Sequence, residues 1–146
     1  MLNVYSPFDR TLIKTIPTVG SRDVETALET ADRLFKDRSK WLPPFRRIEI
    51  LDKVAEIIQS RIDELTKTAA REGGKPYMDS RVEVLRAING IKIASGYIGQ
   101  LKGQTIPMGL TSASQNRIAF TKLEPVGIVA SISAFNHPLY LIIHQV

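Results

Sequence analysis

Asn136 is the residue in this sequence best suited to do chemistry. It lies in Phe135-Asn136-His137-Pro138, directly after an apolar run at residues 128–133. An asparagine amide donates hydrogen bonds and never titrates, so at a strand-to-helix corner it can donate to an oxyanion forming on a carbonyl substrate. Asparagine equally suits a helix start, where it satisfies local backbone groups, and spacing alone favours that local role. His137 is a candidate general base, yet no carboxylate stands near it in sequence to orient it. His144 lies seven residues on, two turns away on one helix face. Two histidines without a third ligand make a weak metal signal, so both read as structural and no metal is expected.

Other clusters carry less. Arg33, Lys36, Arg38, Lys40, Arg46 and Arg47 straddle a helix end and a loop, within a chain of net charge +5. Only Trp41 and Phe45 interleave with them, too few for a stacking platform, so no nucleic-acid partner is expected. Gly96, Gly99 and Gly103 fall in or just after a helix, whereas a phosphate loop follows a strand. The absence of cysteine excludes disulfides, thiolate metal sites and a cysteine nucleophile within these 146 residues. No signal peptide and no membrane-spanning run is evident, so a cytoplasmic protein without a membrane partner is expected.

The elements that must position Asn136 follow from periodicity. Residues 3–5 and 11–16 read as an antiparallel pair around a turn at residues 6–9. Ser21 is expected to cap a helix with Val24, Ala27, Leu28, Ala31, Leu34 and Phe35 at helical spacing. A second helix starts near Pro44, and Ser60-Arg61-Ile62-Asp63 has the form of a capping box that restarts it. Gly73-Gly74 ends that helix. Asp79 or Ser80 is expected to cap a long helix to about Leu101, with Val84, Ile88, Ile91, Ser95 and Ile98 on one face. Its glycines, Gly90, Gly96 and Gly99, imply close packing. Residues 104–106 and 116–123 read as strands, and 128–133 as a buried parallel strand leading into a helix at Pro138. Open α/β sheets bind ligands at such a corner.

These residues resemble the aldehyde dehydrogenase superfamily. The run Glu124-Pro125-Val126-Gly127-Ile128-Val129, with Ile132 and Phe135-Asn136-His137-Pro138-Leu139, is similar to that family's strand and asparagine corner. Glu72-Gly73-Gly74-Lys75-Pro76-Tyr77 resembles its helix-end motif. The resemblance implies an α/β fold in three parts. Residues 1–102 would be an extended pair and helices belonging to the cofactor-binding domain. Residues 103–124 would be a β-hairpin arm that joins subunits into a homo-oligomer. Residues 125–146 would be the first strand and helix start of a Rossmann-like cofactor core.

The resemblance also implies NAD(P)-dependent oxidation of an aldehyde to a carboxylic acid, through a cysteine thiohemiacetal and a thioester. Asn136 would be the oxyanion-hole amide. Ile132, Ser133, Ala134, Phe135 and Asn136 would line the site of NAD or NADP. Phe135 and His137 would edge the substrate tunnel, with Ala134-Phe135 where many relatives have proline and tryptophan. His137 is similar to branches acting on small hydroxy- or acid-bearing aldehydes. The family's cysteine and general-base glutamate have no counterpart here. The chain is therefore expected to be an N-terminal portion, inactive and poorly soluble alone. The alternative is a non-catalytic module that binds a related dehydrogenase subunit.

Overall fold

A computed structural model describes residues 1–146. Strands Leu2–Tyr5 (β1) and Leu12–Ile16 (β2) pair antiparallel, with Leu2 opposite Ile16 and Asn3 opposite Thr15. Asp9 holds the turn between them: its carboxylate accepts from the Thr11 amide at 3.2 Å and the Thr11 hydroxyl at 2.8 Å. Helix Ser21–Lys36 (α1) follows, but Gly20 rather than Ser21 is its N-cap. The Asp23 carboxylate reaches back to the Gly20 amide at 2.8 Å. An acid in the first turn satisfies that amide and suits the helix dipole, which leaves the serine no capping role.

Helix Pro44–Ser60 (α2) starts at the proline, as its fixed φ favours. The expected capping box before helix Ile62–Gly73 (α3) does not form. Arg61 is the N-cap and no side chain caps the helix. The Ser60 hydroxyl donates back to the Ile57 carbonyl at 2.8 Å; it closes the turn it belongs to instead of opening the next one. At the other end the glycine reading is correct. Gly74 takes a left-handed φ of 61° and its neighbour Lys75 donates to the Ala70 carbonyl at 3.2 Å. A Cβ at Gly74 would lie 2.7 Å from Pro7 Cγ, so the β1–β2 turn sits directly on this corner.

Helix Tyr77–Tyr97 (α4) begins earlier than expected, because Pro76 is its N-cap. Ser80 is a fully buried first-turn residue instead of a cap. The helix passes into a 3-10 turn, Ile98–Gln100, at its far end. α4 is the central element: α2, α3 and the last helix, Pro138–Gln145 (α5), all pack on it. The core joins Ala55 and Ile58 to Val84, Ile88 and Ile91, with Leu51, Ile62, Leu65, Leu139 and Ile143 around them. Each buried branched side chain here contributes about 1.5–3 kcal/mol. The close packing expected at the α4 glycines occurs at Gly90 alone, where a Cβ would lie 3.7 Å from His144 Nε2; Gly96 and Gly99 face open space.

Thr105–Ile106 (β3) and Ala119–Phe120 (β4) form a short antiparallel hairpin, with Thr105 opposite Phe120. The expected strand at 116–123 shrinks to two residues because a hairpin with no third strand is marginal. Gly103 is obligatory there: a Cβ would run into the Thr121 carbonyl. The apolar run at 128–133 is not a strand. No backbone amide from Lys122 to His137 donates to a backbone carbonyl. A ladder needs a neighbouring strand, and no other segment of the chain pairs with this one. The result is an α/β chain of five helices and two small sheets. No helix is long and apolar enough to cross a membrane.

Candidate functional site

Asn136 stands exposed at the entrance to α5. His137 is the N-cap and no side chain caps the helix locally, so the capping role that spacing favours for Asn136 is not the one it has. Its carboxamide makes no hydrogen bond within the chain, while its backbone carbonyl accepts from Lys75 Nζ at 2.9 Å. Pro138 brings no N–H, so the first free amides of α5 belong to Leu139 and Tyr140. Glu83 of α4 accepts both through Oε1, at 2.9 and 3.4 Å. Its Oε2 accepts from Lys75 Nζ at 2.5 Å and faces His137 Nδ1 at 3.4 Å.

The Glu83 side chain is 0% exposed. Burial pushes its carboxyl upward, but the Lys75 ammonium and the two α5 amides outweigh burial and hold it below the ordinary 4.5. Glu83 is therefore a buried anion that caps α5 across the fold, with the positive end of that helix aimed at it. It is also the carboxylate that His137 lacks in its sequence neighbourhood. One signal in the sequence points to it. Glu83, Ala87 and Ile91 share the buried stripe of α4, and a charge on an apolar stripe requires a partner.

Residues 131–133 are tied to α5 by side chains alone. Gln145 Nε2 donates to the Ile132 carbonyl at 2.8 Å, Ser131 Oγ to the Gln145 carbonyl at 3.3 Å, and Ser133 Oγ to the Pro138 carbonyl at 3.2 Å. Ile132 and Phe135 are left 86% and 92% exposed, and Ala134 is exposed beside them. His137, in contrast, is half-buried against Glu83. A second tether lies upstream: Arg38 donates to both Glu124 oxygens at 3.1 Å while stacking over Trp41, 5.1 Å from the ring centre. Arg38 holds the Glu124 carboxyl below its usual range.

The remaining candidates separate. His144 packs edge-on against Tyr140, with ring centres 4.2 Å apart, away from His137. No group of three His, Asp or Glu side chains comes together to hold a metal. Within the basic cluster, Lys36 pairs with Asp32, Arg38 with Glu124 and Arg46 with Glu49. The larger open groove, about 640 Å³, lies between α4 and α5 and is lined by Arg86, Gly90, Tyr97, Tyr140 and His144, not by Asn136.

Solved structures share this fold. The chain superposes with a TM-score of 0.93 and 26% identity on aldehyde dehydrogenase 21 from Physcomitrella patens, solved with the product succinate; it covers 99% of this chain and 30% of that one. It matches glyceraldehyde-3-phosphate dehydrogenase from Methanocaldococcus jannaschii, complexed with NADP, at a TM-score of 0.89 and 36% identity, over 100% of this chain and 30% of that one. The architecture is thus that of the N-terminal portion of an α/β dehydrogenase fold.

Sequence comparison completes the assignment. The model of the aldehyde dehydrogenase family matches residues 1–146, and the chain belongs to that family. It is 37% identical over 145 residues to a lactaldehyde dehydrogenase of Methanocaldococcus jannaschii, which covers 99% of this chain and 30% of that relative. The chain spans about 30% of the length of the relatives it matches.

Proposed function

We propose that this chain supplies the oxyanion-binding corner of an NAD(P)-dependent aldehyde dehydrogenase. The observation that carries the reading is the Asn136 carboxamide. It is exposed and uncommitted, while the backbone on both sides of it is held. A carboxamide carried on a backbone held in this way can donate to the oxygen of a carbonyl as it becomes an oxyanion. The chain contains no cysteine, so the thiolate that attacks the aldehyde comes from outside it. NAD or NADP, when bound, accepts the hydride that leaves the adduct. Ile132 and Phe135 offer exposed apolar faces to a flat nicotinamide, and Ser133 and Ala134 are small enough for close approach. Residues 103–124 serve as the arm that joins subunits of a homo-oligomer, between a helical part at 1–102 and a cofactor-core segment at 125–146.

The names of the relatives favour one substrate class. Lactaldehyde and glyceraldehyde 3-phosphate, the substrates named in the Methanocaldococcus jannaschii matches, are both 2-hydroxyaldehydes. His137 beside the oxyanion donor suits a substrate with a polar group next to the reacting carbon. The 146-residue chain alone is expected to reduce neither NAD nor NADP with such aldehydes. Joined to the remaining part of the Methanocaldococcus jannaschii lactaldehyde dehydrogenase, it is expected to restore turnover. Asn136→Ala in that fusion should then lower kcat by about 10²–10³, the usual loss for one oxyanion donor. A fusion in which Asn136→Ala leaves kcat unchanged refutes the reading.

A further inference from the structure

We infer that Lys75 and Glu83 form a positioning pair that sets where Asn136 presents its carboxamide. This deepens the reading of Asn136 as an oxyanion donor and rests on it. Within the corner one side-chain bond spans the asparagine, from the Ser133 hydroxyl to the Pro138 carbonyl at 3.2 Å. No backbone amide from residue 122 to 137 donates to a backbone carbonyl, and α5 opens on a proline with no local side-chain cap. The corner's geometry is imposed from the α3–α4 turn. Glu83 Oε1 holds the amides of Leu139 and Tyr140 on the far side of Pro138. Lys75 Nζ holds the Asn136 carbonyl on the near side and joins the two grips by donating to Glu83 Oε2. One ion pair therefore fixes the backbone on both flanks of the asparagine and leaves the side chain free.

The pair is itself rigidly placed. Lys75 follows Gly74, whose left-handed conformation and contact with Pro7 aim the chain toward α4. Glu83 is fully buried on the core stripe of α4. Three charged or titratable groups meet at this point: Glu83 from α4, Lys75 from the turn before it, and His137 from the corner. A buried carboxylate is costly unless every lone pair finds a donor. Here two backbone amides and an ammonium supply them, and two of the three donations involve the corner's own helix.

Hydrogen exchange on the full 146-residue chain tests this. Glu83→Gln is expected to speed exchange at the Leu139 and Tyr140 amides by about tenfold or more, since each loses a bond to a charged acceptor. The amides of α2 and the middle of α4 should keep their protection. Lys75→Met should leave the protection of α2 and α4 intact while broadening or shifting the side-chain amide resonances of Asn136, and Lys75→Arg should restore them. If Glu83→Gln does not fold, the Lys75 variants give the decision. Uniform loss of protection, or Asn136 resonances unmoved by Lys75→Met, overturns the proposal. Asn136→Ala is expected to leave the exchange of Leu139 and Tyr140 at the wild-type level. A failure of the oxyanion reading, seen in turnover, is therefore distinguishable from a failure of the pair, seen in exchange.

Discussion

The helical body from α2 to α4 and the segment from Lys122 to His137 fold by different rules. The body satisfies its backbone through its own helices and buries Val84, Ala87, Ile88 and Ile91 to 4% exposure or less. The segment donates no backbone hydrogen bond and leaves Val126, Ile132 and Phe135 at least 86% exposed. Helix bonds are local, so the body needs only its own sequence. The segment is apolar enough for a sheet interior but has no adjacent strand, and side chains hold it: Arg38, ahead of α2, at Glu124, and from the body Lys75 at Asn136 and Glu83 at α5. The catalytic candidate sits on the part that borrows its shape.

The sharpest test of that contrast is a truncation in the core. Ile91→Ala, in the core, is expected to lower unfolding free energy by about 2–5 kcal/mol in urea titration. A loss under about 1 kcal/mol would mean that the body is not the stabilising part. Next in size is a pH effect. The Glu83 carboxyl is held below its ordinary 4.5, so its contribution to stability is fully present above that value. It is lost as pH falls through the lower folded value, when Lys75 and the α5 amides lose their anion. Thermal melts of Glu83→Gln should therefore show a flatter fall in stability below about pH 4.5 than wild type. The smallest effect belongs to the segment: Ile132→Ser should change the unfolding free energy by no more than about 0.5 kcal/mol. It should, however, improve solubility, because an exposed apolar extended segment with unpaired backbone is an aggregation site. A core-sized loss at Ile132 would erase the distinction.

What the sequence reveals divides along the same line. The spacing of Val84, Ile88 and Ile91 marks the α4 face, because a helix states its buried side in its own period. Gly74 marks a chain reversal for an equally local reason, its left-handed φ. The caps at Ser21, Ser60 and Ser80 were not legible. Each serine had a competitor, in Asp23, in the Ile57 carbonyl and in burial, that a four-residue pattern does not reveal. The run at 128–133 announces burial but not its neighbours. Asn136 was visible as a candidate, and its local alternative was removed only by the unbonded carboxamide. Glu83 shows in the sequence only as a charge on an apolar stripe, because the two amides it holds lie 56 and 57 residues away.

That distance has a consequence for the order in which the molecule takes shape. The bonds from Lys75 and Glu83 close loops of 61 and 56 residues, and such closure costs entropy that only a preformed docking surface repays. The α3–α4 turn is built from local contacts and leaves a ribosome well before Asn136 does. The corner is therefore a late arrival that meets a finished seat. A slow step confined to residues 136–140, following a fast helical collapse, would be the kinetic trace of that order.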